Sequence, residues 1–189
     1  PRPVQRPPPP FYMATSSIDG VEVAARLGIN LFLPIHTRTP EQVAEYATAY
    51  WYGLATHNYE RHGKELGLLV PMHLAKTTAD ARGRAQAGIM SYFKTISDLR
   101  VDYTDWLDRR GIELPSRLRT AAGAVVSYET VCERHAVVGD SALAVETLRR
   151  LAKKTSAGHI LVWMNIGSMP HALVKESMEQ FAAEVMPKL

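Results

Sequence analysis

A chain of 189 residues is long enough for one domain with a real core, and 46% hydrophobic with 22% charged residues is an ordinary globular composition. A net charge of +3 without a basic run gives no electrostatic hold on nucleic acid, and no apolar run approaches the ~20 residues of a membrane helix. The single cysteine, Cys132, excludes an internal disulfide and a cysteine zinc site, and it suits a reducing, cytoplasmic compartment.

Residues 1–10, PRPVQRPPPP, are too proline-rich for a helix and read as an extended connector. Phe11–Ala14 reads as a first strand. Thr15, Ser16 and Ser17 follow as a tight turn, and Val21, Ala24, Ala25 and Gly28 recur at helical spacing. A hydroxyl at that place caps the helix. The free N–H groups and the helix dipole also make an anion site there, so a cap alone and a phosphate turn are both open readings.

Gly28 stands where a helix stop belongs, and Ile29–Leu33 reads as a second buried strand with residues 34–38 as its exit loop. Thr39-Pro40-Glu41-Gln42 is a capped helix start with proline in the first turn. That helix is expected to run to about His62, with Gly63 as its stop. Leu66–Ala75 is a third strand, in which Pro71 implies a bend or an edge position. Thr77 and Asp80 begin another helix, reaching about Leu99.

Residues 101–135 break the rhythm and read as an insertion, with a short helix over 102–110, a turn over 111–115 and helical pieces up to Arg134. A segment that interrupts a regular barrel suits a lid, so residues 101–125 are expected to be mobile. The pattern resumes at Gly139-Asp140 with a helix that Gly158 ends. His159–Asn165 is the fourth strand, Ile166–Met169 a loop, and Pro170 starts the last helix.

The order β-α-β-α-β-α-insertion-α-β-α predicts parallel strands with covering helices. Four such units make an α/β fold that is half of a TIM (β/α)8 barrel. Asn30, His73, His159, Trp163 and Asn165 interrupt the apolar strand runs and are expected to face the barrel interior. A site belongs at the C-terminal strand ends. No Ser-His-Asp order, nucleotide phosphate loop or metal-ligand cluster is present, so no metal is expected. His57 and His62 lie five apart on a polar helix face, which is a poor metal site. Cys132 has no evident base beside it and reads as inert.

Three segments carry a family resemblance. PRPVQRPPPPFYMATSSIDGVEVAARLGINLFLP, HAVVGDSALAVETLRRLAKKTSAGHILVWMNIGSMP and ESMEQFAAEVMPKL resemble, in order and spacing, the C-terminal half of the bacterial luciferase-like flavin-dependent monooxygenases. The likeness spans nearly the whole chain, although no single motif in it is diagnostic.

The resemblance implies a half-barrel over residues 11–189, with the insertion at about 101–135. It also implies an enzyme that uses reduced FMN and O2 to oxidise a small organic substrate such as an aldehyde, alkane or sulfonate. The deazaflavin F420 is the alternative cofactor, and a non-catalytic flavin-binding or partner subunit is the alternative role. By the same resemblance, the turn Ala14, Thr15, Ser16 and Ser17 holds the flavin phosphate. From their place at the strand ends, His36, Trp163, Asn165, Gly167 and Met169 are candidates to line the cofactor and substrate space, with a solvated loop histidine the alternative for His36 and core packing the plainer reading of Trp163.

His73 is the one catalytic candidate, and a satisfied core histidine is the plainer reading of it. A full barrel takes ~250 residues. The missing N-terminal half-barrel is therefore expected from the same chain or from an oligomeric partner, alongside a flavin reductase or another source of reduced flavin.

Overall fold

In the computed structural model, which describes residues 3–113 and 126–189, every strand pairing is parallel. The strands are β1 (Tyr12–Ala14), β2 (Asn30–Pro34), β3 (Leu66–Leu74), β4 (Val137–Gly139) and β5 (His159–Trp163). The main sheet runs β1-β2-β3-β5, and β4 joins the far end of β3, where Met72–Leu74 pair with Val137–Gly139. The helices are α1 (Ile18–Leu27), α2 (Pro40–Thr56), α3 (Thr78–Asp108), α4 (Tyr128–Thr130), α5 (Ser141–Thr155) and α6 (His171–Gln180).

Local chemistry accounts for the helix starts. Ser17 accepts from the Gly20 N–H and begins α1, and Thr39 and Gln42 form a reciprocal capping box ahead of Pro40 in α2. Thr77 caps α3. Asp140 caps α5 through the Leu143 N–H at 3.0 Å, and it accepts from Thr78 Oγ1 at 2.9 Å. These bonds, the one to Leu143 first, hold the Asp140 carboxyl below the usual carboxylate range. One carboxylate thus anchors the starts of two helices.

Strand alternation then sorts the sheet into two faces. Leu31, Leu33, Leu66, Leu68, Val70, Met72 and Leu74 are buried in the core, together with Val21, Ala24 and Ala25 of α1, Val43, Ala47, Tyr50 and Leu54 of α2, and Ala144 and Leu148 of α5. Each such leucine contributes about 1.5–3 kcal/mol of burial. Tyr50 Oη donates to the Ile29 carbonyl at 2.9 Å, and Trp51 Nε1 donates to the Thr155 carbonyl at 3.0 Å, so α2 is pinned to neighbours on both sides. The opposite face carries Tyr12, Phe32 and His159 in ring contact. Leu161 on that face is 40% exposed. This is a barrel interior with one half of its wall.

The structure departs from the sequence expectations at several points. A strand, β4, lies just after the insertion and brings the count to five. Its three residues Val137, Val138 and Gly139 are too few to show a period. Pro71 is not on an edge strand, because β3 has β2 on one side and β5 on the other. Proline is tolerated there because Pro71 is the last residue paired with β5, and the ladder to β4 begins at Met72.

Helix α2 stops at Thr56 rather than near His62. Asn58 takes a left-handed φ of 60°, and the Tyr59 N–H returns to the Leu54 carbonyl at 2.9 Å, which closes the helix without glycine. Ser156, at φ 54°, ends α5 in the same way ahead of Gly158. Helix α3 continues without a break through Leu99 to Asp108, because no glycine or proline interrupts that stretch. Within the insertion, residues 114–125, the second part of the expected lid 101–125, lie outside the described residues. The part after them is α4 and a π-helical turn, Val131–His135.

Candidate functional site

The first part of the site is the turn between β1 and α1. The Thr15 N–H bonds the Phe32 carbonyl at 3.2 Å, so the turn is tied to β2. Thr15 Oγ1 accepts from the Ser17 N–H at 3.2 Å and lies 3.3 Å from Ser17 Oγ. Ser17 Oγ satisfies the Gly20 N–H, one of the donors that every helix start leaves without an internal partner.

Arg38, from the exit loop of β2, then closes over the turn. Its Nε donates to the Ser16 carbonyl at 2.8 Å and its Nη1 to the Thr37 carbonyl at 3.3 Å. Its Nη2 has no partner among the described residues. Hydroxyls, helix-start amides and a guanidinium thus stand together at this turn, the kinds of donor that anions take. Of the four residues expected here, Thr15 and Ser16 are half-buried, while Ala14 and Ser17 are exposed.

Two residues before Arg38, the same loop reaches an aromatic cluster. His36, Tyr92 and Trp163 meet edge to face, with ring centroids 4.9 to 5.8 Å apart. They come from the exit of β2, from α3 and from the last residue of β5. Trp163 Nε1 donates to the Asn165 carbonyl at 2.8 Å, which fixes its ring. A cleft of roughly 850 Å³ opens beside the cluster, with His36, Thr37, Tyr92, Phe93, Arg100 and His135 among its lining.

Burial holds the His36 imidazole below its ordinary pKa, and the nearby His135 and Arg100 push it the same way, so His36 is neutral at pH 7. Burial likewise raises the Tyr92 phenol.

Other expected residues are placed differently. Gly167 has a left-handed φ of 56°, and a Cβ there would run into the Gly88 carbonyl oxygen of α3 and stand 2.5 Å from Ser91 Oγ. The Ser168 N–H donates to Ser91 Oγ at 2.9 Å. Met169 is buried, and its backbone lies against Gly88. Both residues are therefore engaged with α3, and Asn165 is exposed at the edge of the cluster.

His73 is 1% exposed, and neither ring nitrogen has a hydrogen-bond partner among the described residues. Burial lowers its pKa, with Arg84 adding to the shift. It does not line the cleft. Arg38, Tyr92, Arg100 and His135 were not singled out in the sequence. The run His36-Thr37-Arg38 at a strand exit was a usable signal for the first, while the others follow only from the path of α3 and the π-helical turn.

No group of three or more His, Cys, Asp or Glu side chains able to hold a metal occurs among the described residues. No helix among them is long and apolar enough to cross a membrane.

The family model described as luciferase-like monooxygenase matches residues 1–158. No curated protein matches the chain in sequence. Among solved structures, the chain is similar to the monooxygenase RslO1 from Streptomyces bottropensis, at 21% identity and a TM-score of 0.68, over 99% of this chain and 50% of that one. It is also similar to the oxygenating constituent of 3,6-diketocamphane monooxygenase from Pseudomonas putida in complex with FMN, at 12% identity and 0.69, over 96% and 49%. A third is the coenzyme F420 dependent tetrahydromethanopterin reductase from Methanopyrus kandleri, at 17% and 0.62, over 94% and 50%. The chain thus spans about half the length of these relatives, and the likeness is one of fold.

Proposed function

Because the chain belongs to the luciferase-like monooxygenase family, we propose that it is the C-terminal half-barrel of a flavin-dependent monooxygenase that uses reduced FMN and O2 to oxidise a small organic substrate. The observation that carries this reading is the Thr15–Ser17 turn with Arg38 folded over it, which fits a terminal phosphate. The flavin supplies the oxidative chemistry when bound, and the residues of this chain position and enclose it.

In this reading Thr15, Ser16, Ser17 and Arg38 hold the phosphate. His36, Tyr92 and Trp163 form the wall between the phosphate turn and the cleft, and the cleft is the substrate chamber. Neutral His36 is able to take up a proton beside the reacting molecules. The helix α3, locked to the loop after β5 through Gly167 and Ser91, screens one side of that chamber from water.

F420 is the second reading, favoured by the fold likeness to an F420 dependent reductase. The other half of the barrel comes from the same polypeptide or from a partner half-barrel, and a flavin reductase supplies the reduced cofactor.

Titration of FMN, riboflavin and F420 into the full-length protein tests the assignment, followed by oxygen uptake on addition of reduced flavin. FMN should bind at least about tenfold tighter than riboflavin, as a charge-assisted phosphate contact requires. Equal binding of the two removes the phosphate turn. Preference for F420 installs the second reading, and tight FMN binding without oxygen uptake marks a non-catalytic subunit.

A further inference from the structure

The cleft beside His36 has an uneven charge distribution. Its walls are apolar, with Met90, Phe93, Ile96 and Val126. Lys94 and Asp98, both on its rim, form an ion pair with each other. Arg100 is left over: among the described residues no carboxylate and no carbonyl pairs with it. It lies near enough to His36 and Tyr92 to act on the titration of both.

His135 lines the same side, and its Nδ1 donates to the Ile35 carbonyl at 3.2 Å, since a carbonyl only accepts. At the inner end, His36 Nδ1 and Thr37 Oγ1 are buried without partners among the described residues.

We propose that the substrate of this site is an apolar molecule bearing one anionic group, a carboxylate in the simplest case, with the charge met by Arg100 and the body lying against Tyr92 and Phe93. A cation is disfavoured, because Asp98, the one carboxylate among the described lining residues, is already taken by Lys94, while Arg100 remains positively charged. A volume of roughly 850 Å³ is large for a short-chain acid and suits a medium-chain or bicyclic one. The inference rests on the reading of the cleft as the substrate chamber.

The test uses calorimetric titration of the full-length protein with decanoate and 2-naphthoate against their neutral primary amides. The carboxylates should bind about tenfold tighter or better at low salt, and the gap should narrow as salt rises. Arg100→Gln should close the gap with amide affinity unchanged, and Arg100→Lys should keep part of it. Arg100 is exposed, so neither variant threatens the fold. Equal affinity, preference for the amides, no carboxylate binding, or a gap that survives Arg100→Gln each overturns the proposal. FMN affinity measured on the same samples separates the two readings. A carboxylate preference without FMN binding sinks the flavin assignment alone, and FMN binding without the preference sinks the substrate class alone.

Discussion

Arg38 Nε donates to the carbonyl of Ser16 at 2.8 Å, across 22 residues of sequence. This single bond joins the exit of β2 to the turn after β1, and it places a guanidinium at the start of α1. The two flanking features of the proposed site, phosphate turn and aromatic cleft, are therefore parts of one loop system. Movement of residues 36–38 would be felt at both.

The first prediction follows from that contact. In Ser16→Glu a carboxylate stands where the phosphate belongs and offers Arg38 a competing partner. FMN affinity should fall at least about tenfold, or about 1.4 kcal/mol. Riboflavin, which lacks the phosphate, should bind unchanged, and so should the circular dichroism spectrum. An FMN affinity equal to that of the parent removes the turn from the cofactor site.

A second pair of variants tests the lock between α3 and the loop after β5. Gly167→Ala puts a Cβ on a left-handed residue and against the Gly88 carbonyl. The conformational term alone costs about 1–2 kcal/mol, and the collision adds to it. Gly83→Ala is the control: it lies within α3, is exposed, and a Cβ there meets nothing within 4 Å. It should stabilise by about 0.5–1 kcal/mol through the lower entropy of the unfolded chain. Urea denaturation should show opposite shifts of midpoint. Matching shifts would mean that the loop is not locked to the helix.

These elements also show what the sequence made legible. The helix starts at Ser17, Thr39, Thr77 and Asp140 were readable because each cap is a local motif, and the long apolar strands β2 and β3 were readable from composition. The strand β4 was not, because three residues make a strand only when β3 offers them an edge. The ends of α2 and α5 were misplaced because Asn58 and Ser156 accept the left-handed conformation usually left to glycine. In the candidate site, the Thr15–Ser17 turn and its Ser17 cap were legible from the strand-turn-helix pattern. Tyr92 and Arg100 were not, since their place beside His36 depends on how α3 crosses the strand ends, which is a tertiary fact.

His73 separates a structural from a chemical role. Its folded pKa lies below the ordinary 6.5. As pH falls below 6.5, the unfolded chain takes up a proton that the buried ring refuses, so the unfolded state binds more protons and stability falls with falling pH. His73→Leu should flatten that acid limb, measured as unfolding free energy from pH 7 to pH 5. With two unpartnered ring nitrogens removed, it should cost little at pH 7. FMN affinity and oxygen uptake, as proposed for the full-length protein, should be retained. A collapse of turnover with the cofactor still bound would make His73 a catalytic residue after all.

The last prediction concerns the open wall. Among the described residues β1 pairs only with β2, and β5 only with β3, so each leaves an edge of unpaired backbone groups. Strand edges of this kind recruit other strands. On the face that lacks its opposing half, Leu161 is 40% exposed, and Phe11 beside the other edge is 62% exposed. Water contact on such a surface is costly enough to favour association. Residues 1–189 produced alone should therefore associate, and light scattering after size exclusion should give a mass above the 21.0 kDa of one copy. They should also bind FMN weakly, because the half-barrel supplies the phosphate turn and one wall of the chamber. Leu161→Lys should reduce the association by placing a charge on the exposed interior face. Supplying the complementary half-barrel should suppress association and restore flavin binding together. A monodisperse monomer of residues 1–189 that binds FMN tightly and consumes oxygen would show that this half-barrel needs no second half.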